Sequence, residues 1–180
     1  HGNRVGAMMF GSAIQRTVPA RSGRLQVLRI INDLLNQPRL NHSSMTDLGA
    51  LLKGGLHSIK KRSLVFVVSD FISTPGWERT LNLLSQRHEV IAIRLWDPRE
   101  VDLPDIGPIM MEDAETGEQL YVDTHDKKFR KRFREAAQQR ELALNDSFKR
   151  AGVDVLPLST EEDMIHAIVR FVMMRRQRRR

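Results

Sequence analysis

Ser63-Leu-Val-Phe-Val-Val-Ser-Asp-Phe71 is the stretch of sequence that decides the fold. Five consecutive apolar residues end abruptly in a serine and an acid, with a basic segment before them and Ser-Thr-Pro-Gly soon after. A short apolar run rich in β-branched residues predicts a strand that is buried on both faces. Asp70 then lies at the carboxyl end of that strand. Ligands and ions bind just beyond the carboxyl ends of the strands in open parallel α/β sheets, so Asp70 is a candidate site residue.

The length and composition of the chain predict one soluble domain. The chain has 180 residues, of which 41% are hydrophobic and 28% charged, which suits one sizeable core and is too short for two. No stretch approaches the roughly 20 apolar residues that span a bilayer, and no signal peptide opens the chain. The lack of cysteine excludes disulfides and thiolate metal sites and is compatible with a cytoplasmic location. Because a turn at His1 runs directly into a strand, we expect this to be a piece whose beginning is missing.

The formal net charge of +7 is unevenly distributed. Five arginines, at 175, 176, 178, 179 and 180, account for five of the seven excess charges and leave two for the body of the chain. We expect residues 175–180 to form a frayed basic tail, although such a tail could also dock on an acidic partner, RNA or anionic lipid. A second basic cluster, between Lys127 and Arg134, is interleaved with Phe129 and Phe133. This pattern favours an amphipathic helix with a solvated face over a phosphate-binding surface.

The hydrophobic pattern alternates between strands and helices. Strands are predicted at 4–10, 14–20, 64–69, 89–95 and 153–158, and helices at 24–36, 46–56, 77–86, 126–150 and after 160. A β-hairpin is predicted over 109–122 as an insertion on the sheet edge. Gly54 and Gly55 are expected to end the second helix, although its pattern could continue to Ile59. Thr160 with Asp163 is a capping start for the last helix. Alternating βα units predict an α/β fold with a doubly wound, mostly parallel sheet.

Thr46 and Asp70 are the oxygen donors best placed above this predicted sheet, one before a helix and one after a strand. Hydroxyl and carboxylate oxygens suit a hard cation such as Mg²⁺. Each residue also has a plainer interpretation. Thr46 would cap its helix, and Asp70 would accept hydrogen bonds from the turn amides of Ile72 and Ser73. On spacing alone the plainer interpretation is favoured.

Other chemical motifs are weak. Four acids beyond the strand at 89–95 have a minor chance of completing a cation or partner site: Asp97, Glu100, Asp102 and Asp105. Three of them share a loop with two prolines, where acids are commonly solvated or capping. No histidine spacing fits a zinc site, and no nucleophile elbow, Walker motif or dinucleotide-binding fingerprint is present. A hydrolase triad and nucleotide binding therefore gain no support.

Short motifs spread over nearly the whole chain resemble those of one family. They are Gly-Asn-Arg-Val-Gly-Ala at 2–7, Thr-Asp-Leu at 46–48 with Ala-Leu-Leu at 50–52, Ser-Asp-Phe at 69–71, Arg-His-Glu-Val at 87–90, Asp-Pro-Arg-Glu at 97–100 and Asp-Ala-Glu-Thr-Gly at 113–117. The chain thereby resembles the MoxR-associated family known as domain of unknown function fifty-eight, whose members resemble von Willebrand factor A domains. In those domains an Asp-x-Ser-x-Ser loop, a threonine and an aspartate form a metal-ion-dependent adhesion site. By that pattern Thr46 would be the threonine and Asp70 the aspartate.

The chain departs from this pattern because it contains no Asp-x-Ser-x-Ser, and the first strand that would carry this loop should lie before His1. The resemblance implies the C-terminal part of one von Willebrand A-like, Rossmann-like domain over residues 1–174, lacking its first strand and followed by the basic tail. It implies a protein-interaction module rather than an enzyme, working with a MoxR-type AAA+ ATPase in an assembly or chaperone-like role. We expect this piece to bind Mg²⁺ weakly or not at all and to expose an unpaired strand edge. The intact parent could hold Mg²⁺ or a similar divalent cation and be anchored to the inner face of the membrane.

Two alternative functions stay open. A metal-dependent hydrolase, such as a phosphoesterase, would need a further base or metal ligand near Asp70, and none is evident in the sequence. Nucleic-acid binding through the basic helix and tail would show an affinity that falls steeply with salt, but no specific nucleic acid is expected as a partner.

Overall fold

A computed structural model describes residues 2–11, 14–37, 47–112 and 117–178. Its elements, in chain order, are β1 (Val5–Phe10), β2 (Ile14–Arg21), α1 (Arg24–Leu35), α2 (Leu48–Ser58), β3 (Leu64–Ser69), α3 (Trp77–Arg87), β4 (Glu89–Trp96), β5 (Pro108–Glu112), β6 (Gln119–Asp123), α4 (Lys127–Ala151), β7 (Asp154–Ser159) and α5 (Met164–Arg178). A short 3-10 turn at Pro98–Glu100 follows β4. The predicted alternation of strands and helices is confirmed.

Three parallel strands form the central sheet, in the order β3-β4-β7. Helices α2, α3 and α4 pack on one face of it, and α5 packs on the other. The chain is therefore an α/β protein with a parallel sheet covered by helices on both faces. The β1-β2 and β5-β6 hairpins are antiparallel. The predicted hairpin over 109–122 is confirmed, but its placement on the sheet edge is wrong, because within the described ranges β5 and β6 pair only with each other.

The larger core cluster is centred on three aromatic rings. Phe71 lies edge-to-face against Phe148, with ring centroids 4.8 Å apart, and Trp77 lies 5.5 Å from Phe71 and 5.8 Å from Phe148. All three side chains are buried. Large aromatic side chains bury much apolar area and gain further energy from such ring contacts. The cluster therefore fixes the loop after β3, which carries Asp70, against α3 and α4.

β3 lies at the end of the central sheet, and in the described part of the chain it pairs only with β4. Leu64, Phe66 and Val68 are 52%, 54% and 55% exposed. Phe66 aligns with Ile91 of β4, which is buried under α5, so these three side chains lie on the α5 face. The prediction that this strand is buried on both faces is therefore wrong, because α5 covers β4 and β7 and leaves β3 open. The expected exposed strand edge agrees with the position of β3.

Two glycines lie inside α2 rather than at its end. The helix continues to Ser58, with Ile59 as its C-cap, so the prediction that Gly54 and Gly55 terminate it is wrong and the alternative of a longer helix is correct. Gly54 faces the β1-β2 hairpin, and a Cβ built there would lie 2.6 Å from Cδ1 of Ile14 and 3.2 Å from Sδ of Met8. Glycine at this position allows the helix and the hairpin to approach closely.

The start of α5 also differs from the prediction. The carboxylate of Asp163 accepts hydrogen bonds from the amides of Ile165 at 2.8 Å and His166 at 3.0 Å, so Asp163 caps the helix alone. The hydroxyl of Thr160 donates instead to the carboxylate of Asp97, at 2.7 Å. The hydroxyl of Thr160 therefore does not cap α5 as predicted, because it is bonded to Asp97 at the end of β4.

The first arginines of the expected tail belong to α5, which is helical as far as Arg178. The guanidinium of Arg175 lies 2.7 Å from Glu89 and 2.6 Å from Asp154, and its side chain is 18% exposed. Because both acids stand at the amino ends of their strands, Arg175 secures the last helix to the sheet. None of the helices described here combines the length and the apolar character needed to cross a membrane.

Candidate functional site

The candidate site lies at the carboxyl edge of the central sheet, where the chain turns sharply after β3. Phe71 has a backbone φ of +59°, in the left-handed region that residues with a Cβ rarely adopt. Such a conformation costs about 1–2 kcal/mol. The ring of Phe71 is 4% exposed and packed in the aromatic cluster, so the core holds this turn in place.

Asp70 takes part in a local network of hydrogen bonds. Its Oδ1 accepts from the amide of Ile72 at 3.0 Å and from the hydroxyl of Ser69 at 3.3 Å. The Ser69 hydroxyl oxygen in turn accepts from the amide of Phe71 at 3.0 Å. The turn role predicted for Asp70 as its plainer interpretation is confirmed for the amide of Ile72. Both bonds use Oδ1 of this exposed carboxylate.

Thr46 lies outside the described residues, and the structure begins again at Asp47, directly before α2. Asp47 caps α2, because its Oδ1 accepts from the amide of Ala50 at 2.9 Å. The amide of Leu48 donates to the hydroxyl oxygen of Ser73 at 3.0 Å. The start of α2 is thereby bonded to the loop that follows Asp70, so these two segments meet at the same edge of the sheet.

Asp97 follows the neighbouring strand, β4, at this edge. Its carboxylate accepts from the hydroxyl of Thr160 at 2.7 Å and from the amide of Arg99 at 2.8 Å. These two hydrogen bonds, that of Thr160 first, lower the pKa of Asp97 from its usual value. The acid therefore joins the loops after β4 and β7.

The other acids of this loop form ion pairs with α4. Arg134 lies 2.6 Å from Asp102, and Arg130 lies 2.7 Å from Asp105, which His125 also contacts. Within the described ranges, no group of three or more histidine and acidic side chains is gathered as a metal site. The hypothesis that these acids complete a cation site therefore gains no support from their positions.

A cleft lies between this loop and α4, and the sequence did not predict it, although the basic helix and the acids Asp102 and Asp105 were both candidates. It encloses about 460 Å³. Its walls are formed by Asp102, Leu103, Pro104 and Asp105 on one side and by Lys127, Arg130, Lys131 and Arg134 on the other. The available signal was the spacing of the four cations, which places them on one face of a helix.

His88 lies at the opposite, amino edge of the sheet, immediately before β4. It is 5% exposed, and neither ring nitrogen has a hydrogen-bond partner in the described part of the chain. Burial, with a smaller effect from the charge of Arg87, lowers the pKa of His88. The imidazole is therefore held in its neutral form as part of the packed interior.

The structure is that of an α/β protein with a parallel central sheet. At the carboxyl edge of this sheet, the turn that carries Asp70 lies beside the start of α2. Within this class of α/β proteins the chain belongs to the family described as "Protein of unknown function DUF58", whose profile matches residues 1–143. The resemblance to domain of unknown function fifty-eight is thereby confirmed.

The relatives are themselves uncharacterised proteins of mycobacteria. One from Mycobacterium tuberculosis (strain ATCC 25618 / H37Rv) is 32% identical over 176 residues, which cover 98% of this chain and 55% of the relative. One from Mycobacterium avium is 36% identical over 160 residues, which cover 89% of this chain and 94% of the relative. The chain thus spans about half the length of the first of these relatives.

One solved structure has a similar fold. The crystal structure of conserved hypothetical protein BatB from Bacteroides thetaiotaomicron matches with a TM-score of 0.52 and 11% sequence identity. The match covers 100% of this chain and 82% of that chain. At this level of identity the likeness concerns the fold alone.

Proposed function

We propose that this chain is the C-terminal part of a von Willebrand A-like protein-interaction module that works with a MoxR-type AAA+ ATPase in an assembly or chaperone-like role. Membership of the DUF58 family supports the proposal. The observation that carries it is the hydrogen bond from the amide of Leu48 to Ser73, which joins the start of α2 to the loop after Asp70. Asp47, at the start of α2, and Asp70, after β3, are therefore close to the same contact, and the proposal adds Thr46 as the residue that precedes Asp47 in the chain.

In this proposal Thr46 and Asp70 each contribute one oxygen to a cation site in a longer polypeptide. Mg²⁺ requires about six oxygen ligands in near-octahedral geometry and usually keeps several waters. The bond from Ile72 orients the Asp70 carboxylate through Oδ1, and Oδ2 is the oxygen that we propose for the cation. Two protein oxygens hold the ion only weakly, so the Asp-x-Ser-x-Ser loop of an additional strand has to complete the site. The bound cation would then capture an acidic residue of the partner.

The free edge of β3 is the place proposed for that additional strand. The amide of Glu89 donates to the carbonyl of Ser63 at 2.9 Å, so the alternate residues Leu64, Phe66 and Val68 direct their backbone groups away from β4. α2 packs against the central sheet and, through Gly54, against the β1-β2 hairpin. A strand paired with β3 beneath this helix would bring its carboxyl end beside Asp70.

The experiment compares two single-carboxylate variants in a polypeptide that includes the upstream strand. Asp70→Ala should abolish Mg²⁺-dependent capture of the ATPase, measured by pull-down with Mg²⁺ and with EDTA. Asp146→Ala is the matched control, because Asp146 is an exposed acid of α4 whose ion pair is with Lys149 of the same helix. Thermal melting checks that both variants are folded. Equal capture by the Asp70 and Asp146 variants would refute the role of Asp70.

Calorimetry on the 180-residue chain tests whether this chain alone supplies only part of the ligands for Mg²⁺. Titration with Mg²⁺ should give weak binding or none, since the chain supplies only part of the ligand set. Tight stoichiometric binding would contradict it. A metal-dependent hydrolase gains no support, because the described residues contain no group of three or more histidine and acidic side chains that could hold a metal ion.

A further inference from the structure

The amino-terminal half of α4 projects beyond the sheet, at the edge that carries Asp70. The helix has 25 residues and the strand that follows it has 6, which correspond to about 37 Å and about 20 Å. Glu141 of α4 pairs with Arg94 near the carboxyl end of β4, at 2.7 Å. The first two turns of α4, which lie well before Glu141, therefore face the loop after β4 rather than the sheet.

The loop opposite α4 is held firmly in place. Thr124 is fully buried, its hydroxyl donates to the carbonyl of Gly107 at 2.8 Å, and its hydroxyl oxygen accepts from the amide of Ile106 at 3.0 Å. These bonds fix the end of the loop next to the start of α4. The cleft between them, of about 460 Å³, is thus a formed feature of the fold.

The cleft carries more positive charge than its own acids neutralise. Asp102 and Asp105 are engaged by Arg134 and Arg130 at 2.6 and 2.7 Å. The hydrogen bond from His125, followed by that from Arg130, lowers the pKa of Asp105, so this acid stays ionised.

Two lysines of the same helix face have no comparable partner. Lys127 forms no ion pair with a described residue, and Lys131 has only Glu135 at 3.8 Å, with both side chains more than half exposed. Such a long, exposed pair contributes little. The two arginines of the cleft thus form ion pairs with the acids of the opposite wall. Lys127 and Lys131 remain available to a ligand.

We propose that this cleft binds an extended acidic peptide segment of a partner protein, whose alternate carboxylates pair with Lys127 and Lys131. Residues four apart on a helix are separated by a rise of about 6 Å. Alternate residues of an extended strand are about 6.8 Å apart and point to the same side. A Glu-x-Glu segment in extended conformation therefore matches the two lysines.

The two acids of the cleft favour a peptide over a nucleic acid. Asp102 and Asp105 line the wall that faces the lysines and would repel a backbone with a negative charge on every nucleotide. The lining also contains no aromatic side chain on which a base could stack. A peptide places its charges on alternate residues only, and its neutral residues can face Leu103 and Pro104.

The test measures binding of a fluorescent peptide, acetyl-Ser-Glu-Ser-Glu-Ser-Glu-Ser-amide, by anisotropy at low salt. EDTA is present throughout, so a cation-dependent contact at Asp70 cannot contribute and the two proposals fail separately. Lys127→Gln with Lys131→Gln should weaken binding about tenfold, since each exposed ion pair is worth up to about 1 kcal/mol. The matched control is Lys128→Gln with Arg132→Gln, which removes the same charge at the same spacing from the helix surface outside the cleft.

Selective loss in the Lys127 and Lys131 variant, with less than about a twofold loss in the control, supports the site. Three results would overturn it. They are equal losses in both variants, equal binding of a peptide with glutamine in place of glutamate, and tighter binding of a single-stranded oligothymidylate of the same charge. Absence of measurable peptide binding to the unchanged chain would overturn it as well.

Discussion

Two effects oppose each other when Phe71, in the turn after β3, is replaced. Loss of the buried ring destabilises both an alanine and a glycine variant, whereas relief of the positive φ stabilises the glycine variant alone. Both variants lose a ring that is 4% exposed and packed against Trp77 and Phe148, which costs about 3–5 kcal/mol of unfolding free energy. Only glycine relieves the positive φ of +59°, and this relief is worth about 1–2 kcal/mol. The greater freedom of glycine in the unfolded chain costs about 0.4–1 kcal/mol. The glycine variant should therefore be the more stable of the two, by about 0.5–1 kcal/mol.

Inside a helix the opposite order is expected, with the alanine variant more stable than the glycine variant, so a helical residue of the same cluster provides the control. Phe148 belongs to the same cluster but lies in α4, where alanine is favoured over glycine by about 1 kcal/mol. Urea unfolding, followed by circular dichroism and tryptophan fluorescence, gives the unfolding free energies of the alanine and glycine variants at both positions. The comparison requires that the four variants have the same m-value. If alanine is as stable as glycine at position 71, the backbone there is not strained and the proposed role of the core in shaping the turn after Asp70 fails.

Two further predictions concern buried polar groups. The unfolding free energy should fall as the pH drops below about 6.5, because the unfolded chain takes up a proton at His88 while burial keeps the folded imidazole neutral. His88→Leu should flatten this pH dependence, and identical slopes for the variant and the original chain would contradict the prediction. Thr124→Val should cost about 2 kcal/mol, because it removes a buried hydroxyl that makes two hydrogen bonds. Hydrogen exchange at the amide of Ile106 should then accelerate, and unchanged exchange would show that another contact fixes this loop.

The local features of the fold were predictable because they depend on neighbours in sequence. The apolar run at 64–69 has the same bounds in the structure as in the prediction. The long helix predicted over 126–150 is capped in the structure by Gly152. Its φ of +65° is the left-handed conformation that glycine adopts without strain. Hydrophobic periodicity and glycine placement are sufficient for such features.

Features that depend on distant partners were not predictable. The run of β3 is as apolar as a central strand, and nothing within it reveals that α5 stops short of it. Thr160 and Asp163 are both good capping residues, and the choice between them is made by Asp97, which lies 63 residues away from Thr160 in the chain. Likewise, Arg175 pairs with acids of two strands, which a count of terminal arginines does not reveal.

The candidate site likewise has one part that could be predicted from neighbouring residues and another that depends on distant residues. The position of Asp70 at a strand end follows from the sequence around it and is found in the structure. The basic cleft requires a loop and a helix separated by more than twenty residues to meet. The spacing of its cations was readable, but the opposite wall, held by Thr124, could only be seen in three dimensions.

The open edge of β3 bears on how this polypeptide behaves at high concentration. Six residues of high β-propensity without charge, proline or glycine, with an exposed aromatic in the middle, have the composition from which cross-β fibrils grow. Lys60, Lys61 and Arg62 precede the strand, separated from it only by Ser63. Their mutual repulsion opposes in-register stacking, as gatekeeper residues do in other proteins. We therefore expect replacement of these three cations by neutral residues to promote aggregation at high concentration.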